Sequence, residues 1–398
     1  MRYKQFTFWA LCAFLAVLQV PSVHGQLAPG YLVTPLGTLP GDSSSIAYGI
    51  NDFGHIVGVS RDAGGNNTLA GFLWTNGGLT DLGLYTGHTA IRPWAINNLG
   101  NITGRATNGP GGSNFGVYHN GTGWTLAGNV GGSRGNGFGI NDANHMVGNM
   151  RLPSNDFSRA FVWSPGGGTV ELPTLHPDDP FNAVPAYNGY EGGSYATGIN
   201  DLGVVVGSAG LSDSHGTDRG FRWTMSGGMV NLGTPASQGL PGLGLFTQSY
   251  AQNINNAGMI VGAADRGSGL TRAVYWDTLD QIHDIGTLGG TSGWAYGVNE
   301  SGTVVGISTD SANNSRAFGW HGGSLVDLNT LLPPGSGWTL MRAYDINEAG
   351  QIVGEGTFNG VNQGFVLTPI PEPSICIAVC VVLAGLAFFH GLCRKSAS

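Results

Sequence analysis

The stretch from Ala196 to Gly207, Ala-Thr-Gly-Ile-Asn-Asp-Leu-Gly-Val-Val-Val-Gly, limits what this chain can fold into, because close copies of it occur seven times. Its Asn recurs as Asn51, Asn97, Asn141, Asn200, Asn255, Asn299 and Asn347, at intervals of 46, 44, 59, 55, 44 and 48 residues. The shared pattern is small-x-Gly-Ile-Asn-(Asp/Asn/Glu)-x-Gly-x-(Ile/Val)-Val-Gly, with some drift. A period near 45 means one supersecondary unit used again and again. The 398 residues would serve two or three ordinary domains, but the repeat argues for one large closed one.

Each unit reads as four strand-like pieces. In the sixth they run from Ala295 to Asn299, Thr303 to Ser308, Arg316 to Trp320 and Ser324 to Leu328. Gly pairs such as Gly77-Gly78, Gly227-Gly228 and Gly322-Gly323 join third to fourth, where Gly supplies a positive φ at little cost. The Asn-Asp-x-Gly between the first two pieces is another hairpin, its Gly in the left-handed position. With 70 Gly and only 10% charged residues, the composition suits short strands and tight turns, and no helix is expected between Gln26 and Pro369. Four antiparallel strands per unit make a propeller blade, and seven units fit the common range of about 4–8. A β-helix has coils about half this length, and a tandem β-sandwich needs roughly 100 residues per unit. The expectation is an all-β, seven-bladed β-propeller over residues 26–369.

The last unit ends at Pro369 without a fourth strand, after Gly364-Phe-Val-Leu367. The missing piece stands at the other end of the chain, where Tyr31 to Leu39 matches Asp81-Leu-Gly83, Asn231-Leu-Gly-Thr234 and Asp284-Ile-Gly-Thr-Leu288. The N-terminal strand is therefore expected to complete the final blade and close the ring, pairing an otherwise open edge.

Small residues sit two and four places before the Asn, as in Ala47 and Gly49 or Ala196 and Gly198, while aromatics sit three or five before it. Those aromatics are Tyr48, Trp94, Phe138, Tyr195, Tyr250, Trp294, Tyr296 and Tyr344. Alternation by two puts the sets on opposite faces. One reading packs the small face of a blade against the large face of its neighbour. The other makes a ring of aromatic platforms near the axis for stacking sugar rings, with Trp94, Tyr195, Tyr250 and Trp294 as candidate ligand-binding residues. Two insertions break the period: 173–195 carries His176, Asp178, Asp179 and Glu191, and 208–219 carries Asp213, His215 and Asp218. Such loops are solvated turns or, alternatively, calcium or acid/base sites. Asp52, Asp142 and Asp201, which follow the repeat Asn, read as side chains capping their own turn.

No P-loop, His-Glu-x-x-His or Gly-x-Ser-x-Gly occurs, and the ten His are scattered over unrelated repeat positions, so no catalytic residue, metal site or cofactor is expected. All four Cys (12, 376, 380 and 393) lie in the terminal segments, which excludes disulfides and Cys-ligated zinc from the repeats. Between Gln26 and Ile370 there are 12 Arg, no Lys and 23 Asp plus Glu, a net of −11. That balance argues against nucleic acid and anionic membrane surfaces as partners.

Residues 1–25 read as a secretory signal: Arg2 and Lys4 precede an apolar run from Phe6 to Leu18, and Val23-His24-Gly25 suits cleavage. Residues 370–398 read as an anchor. After Pro371-Glu372-Pro373, the 19 residues from Ser374 to Leu392 are apolar but for Ser374 and His390, long enough for a transmembrane helix, and Arg394 and Lys395 form its basic stop. This tail resembles the PEP-CTERM sorting domain of Gram-negative bacteria, although its basic cluster has only two residues. The resemblance implies recognition of Pro371, Glu372 and Pro373 by an exosortase, a membrane sorting protease, and a link to exopolysaccharide and the cell surface. The repeats resemble the HAF extracellular repeat, with Arg159-Ala160-Phe161 and Arg316-Ala317-Phe318 where that family has His-Ala-Phe. That family brings no established activity.

The expected protein is an exported cell-surface or matrix module, non-catalytic, binding a glycan or a surface protein. A secreted polysaccharide hydrolase or lyase and an inert envelope component are the alternatives. An enzyme brings two or three acidic or His side chains from different blades to one mouth of the ring, whereas a binding module brings aromatics and amides.

Overall fold

Every repeat forms a four-stranded antiparallel sheet whose strands follow in chain order, except the last, which borrows its outer strand from the N-terminus. This is a computed structural model describing residues 27–62, 69–108, 112–128, 134–151, 158–175, 193–210, 218–239, 247–265 and 270–371. Six blades occupy 42–81, 90–126, 134–171, 194–231, 248–286 and 289–327. The seventh combines Trp338–Ile346, Ile352–Phe358 and Val361–Pro369 with Tyr31–Pro35. The seven-bladed propeller and its closing strand are as the sequence implies. Among the described residues the only helix is a 3-10 turn, Leu328–Leu331, and none is long and apolar enough to cross a membrane. The signal, Glu372, Pro373, the apolar tail, Arg394 and Lys395 lie outside the described residues, as do 176–192 and 211–217 of the two insertions.

The closing strand pairs antiparallel with the C-terminal one, from Tyr31 opposite Pro369 to Pro35 opposite Phe365. Main-chain bonds Leu36 N–H to Gly364 O (3.0 Å) and Ile370 N–H to Gly30 O (2.9 Å) extend the ladder at both ends. Tyr31 is buried in the core of the seventh blade, and Leu36 and Leu39 pack between it and the first. The strand thus joins the two chain ends and fills a hydrophobic layer at the seam.

The second strand of each blade carries the Gly of the Val-Val-Gly motif, and its reason is steric. A Cβ on Gly58, Gly104, Gly148, Gly207, Gly262, Gly306 or Gly354 would lie 1.9–2.3 Å from a main-chain oxygen of the first strand. That oxygen always belongs to the residue five before the repeat Asn (position −5). On the third strand the opposite residue is a fully buried Phe72, Val117, Phe161, Phe221, Val274, Phe318 or Phe365. The close approach accompanies a register shift at one place in every blade. The residue at −4 pairs with this Gly, the residue at −2 pairs with its predecessor, and the residue at −3 has no partner. A bulge bends its strand and re-aims the unpaired side chain.

Deleting residues 27–40 strips the last blade of its outer strand and exposes Phe365 and Leu367. Losing several such buried side chains costs about 2–5 kcal/mol each, comparable to the whole stability of a domain. The truncated chain is expected to lose its cooperative thermal transition; a melting temperature equal to that of the full chain would refute the closure argument.

Candidate functional site

Seven bulges in seven inner strands bring the −3 residues Tyr48, Trp94, Phe138, Thr197, Gln252, Tyr296 and Tyr344 to the wall of one axial cavity of ≈ 510 Å³. Five of them are aromatic and stand on consecutive blades. Neighbouring ring centroids are 5.5 Å apart for Tyr296–Tyr344, 5.2 Å for Tyr344–Tyr48, 4.6 Å for Tyr48–Trp94 and 6.0 Å for Trp94–Phe138. The remaining sector is polar, with Thr197, Gln252, Asn253 and Ser208. The result is an aromatic arc facing an amide-and-hydroxyl arc.

The −5 residues form an outer tier of Ile46, Arg92, Asn136, Tyr195, Tyr250, Trp294 and Arg342. Tyr195 lines the axial cavity and is 39% exposed. Trp294 and Arg342 line an adjoining cavity of ≈ 550 Å³ that shares Tyr296 and Tyr344 with the axial one. Tyr250 stacks on Trp294 at 5.4 Å, and Trp294 on Tyr296 at 6.4 Å, so the aromatic chain continues outward. Of the four residues singled out from sequence, Trp94 belongs to the inner tier and Tyr195 and Trp294 to the outer. Tyr250 backs Trp294, its hydroxyl bonded to Gln248 Oε1 and its phenol pushed up to about 12 by burial and by Asp218 and Asp265. Strict alternation does not hold here, because the bulge separates positions −3 and −5. The aromatics pack on one another and line the cavity at once, so packing and exposure to the axis are not exclusive.

At the opposite end the repeat Asn residues, each buried, form a ring. Each amide nitrogen donates to the main-chain oxygen of the next blade's Asn, from Asn51 round to Asn347 and back to Asn51, over 2.9–3.3 Å. Each amide oxygen accepts the N–H four residues on, over 2.8–3.0 Å, and so caps its own turn. That turn has Gly at positive φ in six blades and Asn144 (φ 64°) in the third.

The residues after the Asn make a second ring. Asp52, Asn98, Asp142, Asp201, Asn256, Glu300 and Glu348 each accept, through a side-chain oxygen, the main-chain N–H of the same position in the preceding blade, over 2.7–3.0 Å. Capping of their own turn, expected for Asp52, Asp142 and Asp201, is thus corrected: the Asn caps its turn, and the next residue ties blade to blade. The five carboxylates converge from five blades on a cavity of ≈ 310 Å³, but each is engaged as a structural acceptor. The two mouths share Ile96, Ile140 and Ile199, part of a collar with Ile50, Ile254, Val298 and Ile346. Among the described residues no three His, Cys, Asp or Glu are gathered to hold a metal ion.

Two departures from the repeat mark the seventh blade. Asp345 takes the −2 position, which is small in most blades, and lines the axial cavity. Its oxygens accept Ile50 N–H and Ile346 N–H at 3.0 Å each. It is half-buried, set into the wall with part of its surface facing the cavity. Burial, with repulsion from Asp52 added, outweighs the two donors and raises its carboxyl to about 7. On the neighbouring strand Glu355, opposite Arg342, accepts from Arg342 and, at 3.1 Å, from the Tyr344 hydroxyl. Sequence reasoning missed Asp345, Thr197, Gln252 and Asn253. The usable signal was position −3 itself, aromatic in five of the seven copies, once separated from −5.

The chain matches the model of a family described as proteins of unknown function (DUF3466) over residues 126–278, less than half its length. No curated protein matches it. Among solved structures it resembles a streptogramin B lyase at 11% identity, covering 86% of this chain and all of that one, with a TM-score of 0.51. TolB from Acinetobacter baumannii aligns at 10% identity over 83% of this chain and 65% of that one, TM-score 0.43. The SapL1 lectin with alpha methyl fucoside aligns at 12% identity over 76% and 100%, TM-score 0.40. At these identities the first likeness shows the propeller fold and nothing further.

Replacing Asn200 by Ala removes one of the two donors to Asn255 O, Gly258 N–H remaining, and leaves Val204 N–H without its acceptor; it is expected to cost about 1–3 kcal/mol in urea unfolding. The exposed Asn362→Ala serves as control, expected within about 0.5 kcal/mol of the parent. Equal effects would mean that the ring contributes nothing. For Asp345 the folded-state pKa lies above the unfolded one. Its stabilising share is full below about pH 4, where both states hold the proton, and is lost as the pH rises toward about 7. The melting temperature is expected to fall over that window more steeply in the parent than in Asp345→Asn, and parallel pH profiles would exclude the raised pKa.

Proposed function

We propose that this protein is an exported surface or matrix module that binds a glycan in the aromatic cavity on the propeller axis. The observation that carries this reading is the arc of five rings in tilted and edge-to-face contact, set opposite Thr197, Gln252 and Asn253 in one open cavity. Sugars present apolar C–H faces bordered by hydroxyls, so a wall of π-faces beside a wall of amides and hydroxyls matches both sides of the ligand. The adjoining cavity with Trp294 gives an extended chain a second place to lie. Sorting by an exosortase-type protease at Pro371, Glu372 and Pro373, with membrane attachment through the tail until processing, supplies the route to the surface. A surface protein is the competing ligand class.

A second reading, a polysaccharide hydrolase or lyase, is favoured by one residue. Asp345 is a carboxyl in the cavity wall whose pKa near 7 suits proton transfer, and it follows Tyr344, whose hydroxyl is bonded to Glu355.

Purified protein is expected to bind at least one bacterial or algal polysaccharide saturably. The Trp94→Ala plus Trp294→Ala variant, still folded by circular dichroism, is expected to bind about tenfold or more weakly. Release of shorter or unsaturated products, abolished by Asp345→Asn, would establish the enzyme instead. No binding across the panel would leave the aromatics as packing alone.

A further inference from the structure

Seven of the twelve arginines between Gln26 and Ile370 form two contrasting sets. Arg159, Arg222, Arg316 and Arg342 each stand against a carboxylate, Glu171, Asp280, Asp310 and Glu355 respectively. Arg61, Arg92 and Arg105 do not, among the described residues, although the repeat region carries an excess of acid. They are gathered at the seam of the first two blades. Arg92 and Arg105 are directly opposite in the ladder of the second blade, an arrangement of like charges that destabilises a strand pair. The Arg92 guanidinium lies 5.1 Å from the Trp94 ring centroid and 6.0 Å from that of Tyr48, over two rings of the aromatic arc. The Tyr48 phenol lies within the electrostatic reach of both Arg92 and Arg61. The Nε atoms of all three arginines and the Nε1 of Trp94 are buried and find no protein acceptor.

Buried donors without acceptors are costly, and guanidinium groups are ordinarily neutralised when they leave water. Here the four donors are grouped about Tyr48 and Trp94, two rings of the aromatic wall of the cavity, with the arginines outside its lining. We propose that this seam is an anion subsite that reads a negatively charged oxygen group, carboxylate or sulfate, on a sugar stacked against Tyr48 and Trp94. The proposal rests on the glycan-binding reading and specifies its ligand class as an acidic polysaccharide. The planar fork of Arg accepts such groups two bonds at a time. The Arg92–Arg105 repulsion is then relieved on binding, so affinity is gained where stability was given up. The protein's net negative charge opposes the long-range approach of a polyanion, so recognition is local and salt screens repulsion as well as attraction.

The test measures binding of the full chain to polygalacturonate, to the same polymer after carboxyl reduction, and to dextran and dextran sulfate. The expected result is a preference of about tenfold or more for an acidic polymer over its neutral counterpart. The pair that shows it identifies carboxylate or sulfate as the group read. Arg92→Gln with Arg105→Gln is expected to bring that ratio close to one without lowering the melting temperature, since it removes a like-charge pair. Equal affinity for acidic and neutral polymers overturns the anion subsite and leaves the glycan reading standing. A preference that survives in the double variant also overturns it. Failure to bind any of the four polymers, or any other polysaccharide, removes both.

Discussion

The structure depends on a hydrogen-bonded circle. Seven Asn side chains each lend an amide hydrogen to the backbone of the next blade, and the seventh lends its own to the first. A single bond of this kind contributes about 1 kcal/mol, but these are buried and mutually oriented, and no member can relax without disturbing two blades. The acidic ring outside it repeats the arrangement with backbone N–H groups as donors. Together they fix one end of the axial passage and leave the other free to vary. The Asn position is the same in all seven blades; the aromatic end differs in nearly all of them.

From the close approach at the Val-Val-Gly glycine to the aromatic arc there is a direct physical line. Because Gly207 and its equivalents lack a side chain, the −5 carbonyl can approach them. A bulge sits two residues on, and the unpaired −3 side chain faces the axis. A residue that looks like punctuation in a strand therefore takes part in shaping the ligand cavity. Function on this fold rests on a packing constraint repeated seven times and decorated differently each time.

Much of this was legible in the sequence. The period gave the blade, and the orphan strand at Tyr31 gave the closure. The location of the aromatics was half legible, since alternation by two identified large and small faces but carries no sign of a bulge. Tyr250 was thus grouped with Trp94 although they stand in different tiers. The blade-to-blade role of Asp52 and its equivalents could not be read locally, because its acceptor geometry spans two repeats. Asp345 was hidden for a related reason: it is informative only as an exception to a position that five of the other six blades keep small. The unpaired state of Arg61, Arg92 and Arg105 is a property of neighbours in space, and no spacing in the chain announces it.

The seam at Tyr31 has a consequence for how the molecule is made. Among the described residues the first strand to be synthesised hydrogen-bonds to the last, so the Tyr31 strand has no place to dock until residues 361–369 exist. Loop-closure entropy of this size is met late in folding, after the local hairpins have formed. Until then the Tyr31 strand and the bare edge at Val361–Pro369 are two unpaired β surfaces with high affinity for one another, on the same chain or on different ones. In a crowded setting the alternative to ring closure is exchange, in which one molecule's leading strand seals the ring of its neighbour.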